Sequence, residues 1–97
     1  MEATDRLIAN PDVLLREEFD NWGVLFNSVT GDSLATGPVG VAVWKALDGR
    51  HTVADIASEV RVQFEATPDS VLDDILAFGE SLCQRRFAAP AQDGGGA

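Results

Sequence analysis

Residues 33–49 read SLATGPVGVAVWKALDG, and the pattern of the sequence changes within them. Residues 33–36 form a short run that fits a strand, and Gly37-Pro38 interrupts it. Beyond the proline, apolar residues recur every four positions, which is typical of a helix with proline in its first turn. We therefore predict a short strand, a break and a helix that ends at Asp48-Gly49.

Two more strands are predicted upstream of this stretch. Residues 13–18 and 22–27 are rich in apolar and β-branched residues, and Asp20-Asn21 between them is a turn signal. The second run places Trp22, Val24 and Phe26 on one face of the predicted strand. A further turn at residues 30–32 leads into residues 33–36, so we expect three antiparallel strands.

Two more helices are predicted downstream. Thr52 is a suitable N-cap, and Asp55 three residues later completes a variant of the capping box. Thr67-Pro68-Asp69 starts a third helix, which should end near Arg86. The buried stripe of the second helix consists of Val53, Ile56, Val60 and Phe64.

This order of elements defines the fold class and the domain limits. A three-stranded antiparallel sheet followed by three helices is an α+β fold that is similar to a winged helix-turn-helix. Residues 1–11 lack a periodic apolar pattern, and residues 90–97 read PAQDGGGA. We predict a flexible N-terminus over 1–11, one domain over 12–89 and a flexible Gly-rich tail over 90–97.

The composition limits the possible partners. The 97 residues include 16 acidic and 7 basic side chains, for a formal charge of −9. A duplex-binding protein draws most of its affinity from basic side chains at phosphates, so we predict no nucleic-acid partner. The acidity is also consistent with solubility alone. The start of the chain does not read as a signal peptide and no apolar run is long enough for a membrane span, so we expect a cytoplasmic protein without a membrane partner.

Catalytic and metal-binding side chains are scarce in the sequence. His51 is the single histidine and Cys83 the single cysteine, so the sequence offers no nucleophile with a supported histidine and no cysteine metal cluster. We read His51 as a solvated turn residue and Cys83 as a small buried side chain. We therefore predict that the protein is not an enzyme and holds no metal or cofactor.

The third predicted helix has an unusually wide apolar arc of about 160°, against roughly 100° for a helix on one core. The sheet and the other helices can bury this arc completely. Alternatively, if the strand over 33–36 is an edge beside this helix, an extended peptide can add to the sheet and contact the helix. The predicted core stripe consists of Val71, Ile75, Phe78 and Leu82. A second stripe beside it consists of Leu72, Leu76, Gly79 and Cys83.

Several short motifs occur together in residues 13–87: Arg16-Glu17-Glu18, Trp22-Gly23, Leu34, Ala42-Val43-Trp44, Leu47-Asp48-Gly49, Thr52-Val53 and Ile56. In this combination the sequence resembles the PqqD-like family, small peptide chaperones also described as RiPP precursor peptide recognition elements. The resemblance implies that a leader peptide adds to the third strand and lies against the third helix. It also implies that a partner enzyme, often a radical SAM protein, modifies the precursor, whereas the family itself performs no chemistry.

Carried onto this chain, the resemblance gives a candidate peptide-binding surface. Its residues are Ser33, Leu34, Ala35, Thr36, Leu72, Leu76, Gly79 and Cys83. Three arginines form a peripheral charge that can pair with acidic leader residues or serve as ordinary surface charge: Arg61, Arg85 and Arg86.

Two other functions remain open at this point. The order of the helices also fits a winged-helix DNA-binding regulator, although its recognition helix would carry several carboxylates, a poor surface for phosphates. An edge strand can also mediate self-association in a structural adaptor.

Overall fold

The structure, a computed structural model, describes residues 1–65 and 67–91. Its elements in chain order are β1 Arg6–Ala9, β2 Val13–Glu17, β3 Gly23–Asn27, β4 Ser33–Thr36, α1 Pro38–Lys45, β5 Asp48–Thr52, α2 Val53–Gln63, α3 Val71–Gln84 and β6 Ala88–Pro90. A 3₁₀ turn, Phe19–Asn21, joins β2 to β3. The described strands form two separate antiparallel sheets of three strands each.

The first sheet has the order β2-β3-β4, with β4 at one edge. Leu25 in β3 faces Leu15 in β2 and Leu34 in β4, and its side chain is 0% exposed. The opposite face carries Leu14 and Phe26, which pair across the strands and remain exposed. Alternation along each strand therefore directs one face of the sheet to the core. The prediction of a three-stranded antiparallel sheet followed by three helices is confirmed.

A buried asparagine shapes the turn before β4. Asn27 is 2% exposed, and its Oδ1 accepts hydrogen bonds from the backbone N–H groups of Val29 and Thr30, at 2.9 and 3.1 Å. Gly31 follows with a φ of +78°, a left-handed conformation that glycine adopts without strain. This turn fixes where β4 begins, since the N–H of Asn27 also bonds to the carbonyl of Asp32.

The second sheet has the order β5-β1-β6 and differs from the sequence prediction. We predicted a flexible segment over residues 1–11, but Arg6–Ala9 forms the central strand of this sheet, and Leu7 is 2% exposed. β1 pairs with strands about 45 and 80 residues away in sequence, at Thr52 and at Ala89. Unlike β4, which has the same length, β1 has no hairpin partner next to it in the sequence, so no local signal marks it as a strand.

Two further predictions change with this sheet. His51 lies in β5 rather than in a turn. Residue 90 of the predicted Gly-rich tail belongs to β6, and the backbone N–H of Ala91 bonds to the carbonyl of Arg6. The rest of that predicted tail, residues 92–97, lies outside the described residues.

The three helices occur in the predicted order, with different ends. α1 ends at Lys45, two residues before Leu47, which is still buried. The capping box of α2 is confirmed, with reciprocal bonds of 3.1 Å between Thr52 and Asp55. α3 begins at Val71, later than the Thr67 signal, and ends at Gln84. Within residues 1–65 and 67–91, none of the helices is both long and apolar enough to cross a membrane.

The core lies between the helices and the inner face of β3. Residues from all three helices and from β1 and β3 meet there, together with Phe87 just before β6. The predicted core stripe of α3 is buried at Val71, Ile75 and Leu82, whereas Phe78 is half-buried at the margin. Phe78 therefore packs against the core from its margin.

Candidate functional site

The outer edge of β4 is the first component of the site. Among the described strands, β4 pairs with β3 on one side only. On its other side, the Arg85 guanidinium at the end of α3 donates to the carbonyl oxygen of Ser33 at 3.4 Å. The edge of β4 therefore runs beside the C-terminal end of α3. Edge-strand N–H and C=O groups of this kind can pair with an added strand.

An apolar pocket lies near the other end of β4. It has a volume of about 290 Å³ and opens between α1 and α3. Thr36, the last residue of β4, sits directly against Gly40 in α1, where an added Cβ would overlap the Thr36 hydroxyl. One residue of the pocket wall, Gly40, therefore adjoins the last residue of β4. Its lining residues are Val39, Gly40, Val43, Thr67, Pro68, Val71, Asp74, Ile75 and Phe78.

The predicted helix residues lie on a different side of α3. Gly79 and Arg85 are six residues apart, which separates their directions by about 120° around the helix. A Cβ on Gly79 would lie 3.0 Å from Leu7 Cδ1 and 3.1 Å from Met1 Sδ. Residues near the N-terminus of the chain therefore cover Gly79, and the Met1 amino group lies 3.5 Å from Glu80 Oε1.

The other members of the predicted second stripe also lie away from the side of α3 that carries Arg85. Leu72 and Leu76 are half-buried and pack against the core. Cys83 lines a larger depression of about 480 Å³, beside residues of β1 and β6 such as Ile8 and Pro90. The structure thus brings the strand residues Ser33–Thr36 together but turns Gly79 and Cys83 towards the second sheet.

The side of α3 nearest to β4 contains residues that we assigned to other roles. Phe78 and Arg85 are seven residues apart, so they share one side of the helix. We counted Phe78 in the core stripe and Arg85 as peripheral charge, and we did not single out Gly40. A glycine in the first turn of a helix is the one sequence signal that could have pointed to the close contact with Thr36.

The three arginines of the predicted peripheral charge separate in the structure. Arg85 lies at β4, as described above. Arg86 lines the depression beside β1 and β6, and its carbonyl oxygen accepts a hydrogen bond of 2.8 Å from Asn10 Nδ2. Arg61 is exposed in the last turn of α2.

Cys83 has the properties of a structural side chain. Burial is the main cause that raises the pKa of its thiol, and the negative charge of Glu80 adds to the effect. A raised pKa favours the protonated thiol over the nucleophilic thiolate.

His51 forms a small charged cluster with two carboxylates. Its Nδ1 lies 3.0 Å from Asp48 Oδ1, and its Nε2 lies 3.6 Å from Glu59 Oε1. The hydrogen bond to Asp48 is the main cause that raises the pKa of His51. The pKa of Asp48 falls to about 2, chiefly because its carboxylate accepts the backbone N–H of Arg50. The cluster orders the start of β5, which belongs to the second sheet.

The comparisons with known proteins agree with this architecture. Residues 23–88 match the family model described as Coenzyme PQQ synthesis protein D (PqqD). Because the match covers more than half of the sequence, the chain belongs to the PqqD family. No curated protein matches the chain.

Two solved structures share the fold. TbiB1, solved in complex with the TbiA(beta) leader peptide, superposes with a TM-score of 0.71 and 19% identity, over 89% of this chain and 99% of TbiB1. A lasso peptide synthetase B1 complexed with the leader peptide gives a TM-score of 0.70 and 20% identity, over 88% and 99%. At this level of identity, the similarity establishes the fold.

Proposed function

We propose that this chain binds the leader segment of a ribosomally made precursor peptide by strand addition to β4. The observation that carries the proposal is the open edge of β4, which has Arg85 of α3 at one end and an apolar pocket near the other. Membership of the PqqD family supports it. So do the two proteins of the same fold that were solved with leader peptides.

The open edge of β4 and the side of α3 that carries Phe78 and Arg85 form a groove. Different groups in this groove supply affinity and selectivity. Backbone hydrogen bonds between β4 and the leader supply affinity that depends little on sequence. Alternate side chains of an extended peptide point to the same face, so those directed towards α3 meet Phe78 and the pocket. A leader with an apolar side chain at that position buries it against the pocket wall.

The chain then acts as an adaptor in the cytoplasm. It holds the precursor without performing chemistry, and a partner enzyme modifies the part of the precursor that extends beyond the groove. The resemblance noted in the sequence favours a radical SAM enzyme as this partner. On this proposal, Ser33–Thr36 supply the strand contacts, while Phe78 and Arg85 supply the helix contacts.

A pair of proline variants tests strand addition. Successive N–H groups of a strand point to opposite edges, so of Leu34 and Ala35 one donates towards β3 and the other towards the open edge. Leu34→Pro and Ala35→Pro should therefore differ: one should weaken the fold, and the other should stay folded and lose peptide binding.

Circular dichroism and calorimetric titration measure the two effects. The probe is a ten-residue peptide selected against the unaltered chain from a displayed library of random peptides. Strand addition is contradicted if Leu34→Pro and Ala35→Pro both stay folded and bind this peptide as tightly as the unaltered chain does.

A further inference from the structure

We propose that Arg85 makes the groove selective for leader segments that carry an acidic side chain beside Ser33. This inference rests on the proposed binding of a peptide to β4. Arg85 is the C-cap residue of α3, and its Nη1 lies 3.4 Å from the Ser33 carbonyl oxygen and 3.4 Å from each carboxylate oxygen of Asp32.

These contacts leave the guanidinium free to accept a stronger partner. Charge-assisted N–H···O bonds of full strength are about 2.7–2.9 Å long, so contacts at 3.4 Å are weak. All three contacts use one nitrogen, whereas a strong arginine–carboxylate pair uses two nitrogens in parallel. The side chains of Arg85 and Asp32 are also 39% and 43% exposed, so water and salt screen their attraction.

Arg85 lies where an added strand would pass, so its charge acts on that strand. The guanidinium approaches the Ser33 carbonyl from the side of β4 that faces α3, so an added strand must come close to it. A carboxylate on the arriving peptide gives the guanidinium a bidentate partner and draws it away from the backbone oxygen. A lysine or arginine at the same position meets a like charge instead.

The net charge of the chain gives a second reason to look for a cation at the groove. The formal charge of −9 repels an acidic peptide over most of the surface, so attraction has to come from a cation inside the groove. Of the three arginines considered in the sequence, only Arg85 contacts β4, since Arg61 lies on α2 and Arg86 lines the depression beside the second sheet.

Selection from a library of random ten-residue peptides, displayed and panned against the whole chain, tests this inference. The unaltered chain should enrich peptides with Asp or Glu at one fixed distance from an apolar residue. Arg85→Glu should lose this enrichment and favour Lys or Arg at that position. Arg61→Glu changes the charge by the same amount outside the groove and should select the same peptides as the unaltered chain.

A double-mutant cycle then measures the interaction. One enriched peptide is synthesised with its acid and with the matching amide, and both are titrated into the unaltered chain and into Arg85→Gln, which keeps a polar side chain at the helix end. The amide should bind the unaltered chain about two- to fivefold more weakly, and the two peptides should bind Arg85→Gln equally.

The outcomes separate the two proposals. If Arg85→Glu selects the same acidic peptides as the unaltered chain, or if the amide costs as much affinity in Arg85→Gln, Arg85 does not set the selectivity and strand addition stands. If none of the folded chains enriches any peptide, the proposed peptide binding itself is wrong, and this inference is wrong with it.

Discussion

At the scale of single residues, Gly40 and Thr36 hold the end of β4 against α1. An added Cβ at Gly40 would overlap the Thr36 hydroxyl and lie 3.0 Å from Thr36 Cβ. The absence of a side chain at Gly40 is thus required by packing. Helix propensity alone would favour alanine there by about 1 kcal/mol.

Gly40→Ala is expected to destabilise the fold despite the better helix propensity of alanine. Overpacking of a tight contact typically costs about 1–3 kcal/mol, which exceeds the gain in propensity. Urea denaturation measures the change in the free energy of unfolding. The double variant Gly40→Ala with Thr36→Ala should recover most of the loss, because it removes the overlapping oxygen and methyl group. A stabilised single variant would show that propensity outweighs the contact.

The His51 cluster predicts how stability depends on pH. Because the pKa of His51 is raised above 6.5, its protonated form stabilises the fold fully below that pH, and this contribution is lost as the pH rises through the folded pKa. The contribution of Asp48 to stability depends on pH in the opposite direction. Its pKa falls from 3.8 to about 2, so its contribution is present above pH 3.8 and lost as the pH falls towards 2.

The measurement is the urea midpoint at a series of pH values on either side of neutrality. The unaltered chain should lose stability on the alkaline side of the His51 titration, and His51→Gln should show a flatter profile there. The side chains of His51 and Asp48 are 37% and 43% exposed, so the effect of His51 protonation on stability should also shrink in high salt. Identical profiles for the two chains would contradict a stabilising role for protonated His51.

At the scale of elements, β1 distinguishes the structure from the sequence prediction most clearly. Leu7 is 2% exposed and contacts α3 at Gly79, whereas its neighbour Ile8 points outwards and is 47% exposed. A flexible segment would show no difference between these two positions.

Leu7→Ala should therefore lower the free energy of unfolding by about 2–4 kcal/mol, because it leaves a cavity beside α3. Ile8→Ala is the matched control, and it should cost less than about 1 kcal/mol because Ile8 is already 47% exposed. Urea denaturation of both variants provides the comparison. Equal and small losses would restore the flexible N-terminus predicted from the sequence.

The helices and the first sheet followed from local signals. The capping box at Thr52 and the turn residues before β4 involve partners within a few residues, so the sequence contains both halves of each interaction. The predicted start of α3 was less accurate, since the signal lies at Thr67 and the helix begins at Val71. Thr67-Pro68 forms a preceding turn, in which the Pro68 carbonyl accepts the N–H of Val71, and it lines the pocket instead of capping the helix.

At the scale of the whole molecule, the two sheets flank the helices and divide the surface of α3 between them. One side of α3 meets β1 and residues near the N-terminus at Gly79, and another side meets β4 at Arg85. The wide apolar arc of α3 has two different surroundings. Part of it is covered by the chain itself, and part borders the pocket beside β4.

Local signals in the sequence were enough to predict the three strands of the first sheet, the order of the helices and the family resemblance, while the edge position of the third strand stayed a condition until the strand order was known. The local signals are periodicity, caps and turns, which act over a few residues. The positions of residues 6–9 in a second sheet and of Arg85, rather than Gly79, beside β4 became known from the packed molecule alone. Pairing between distant strands and the rotation of a helix about its axis depend on how the whole core packs, and no local pattern contains that information.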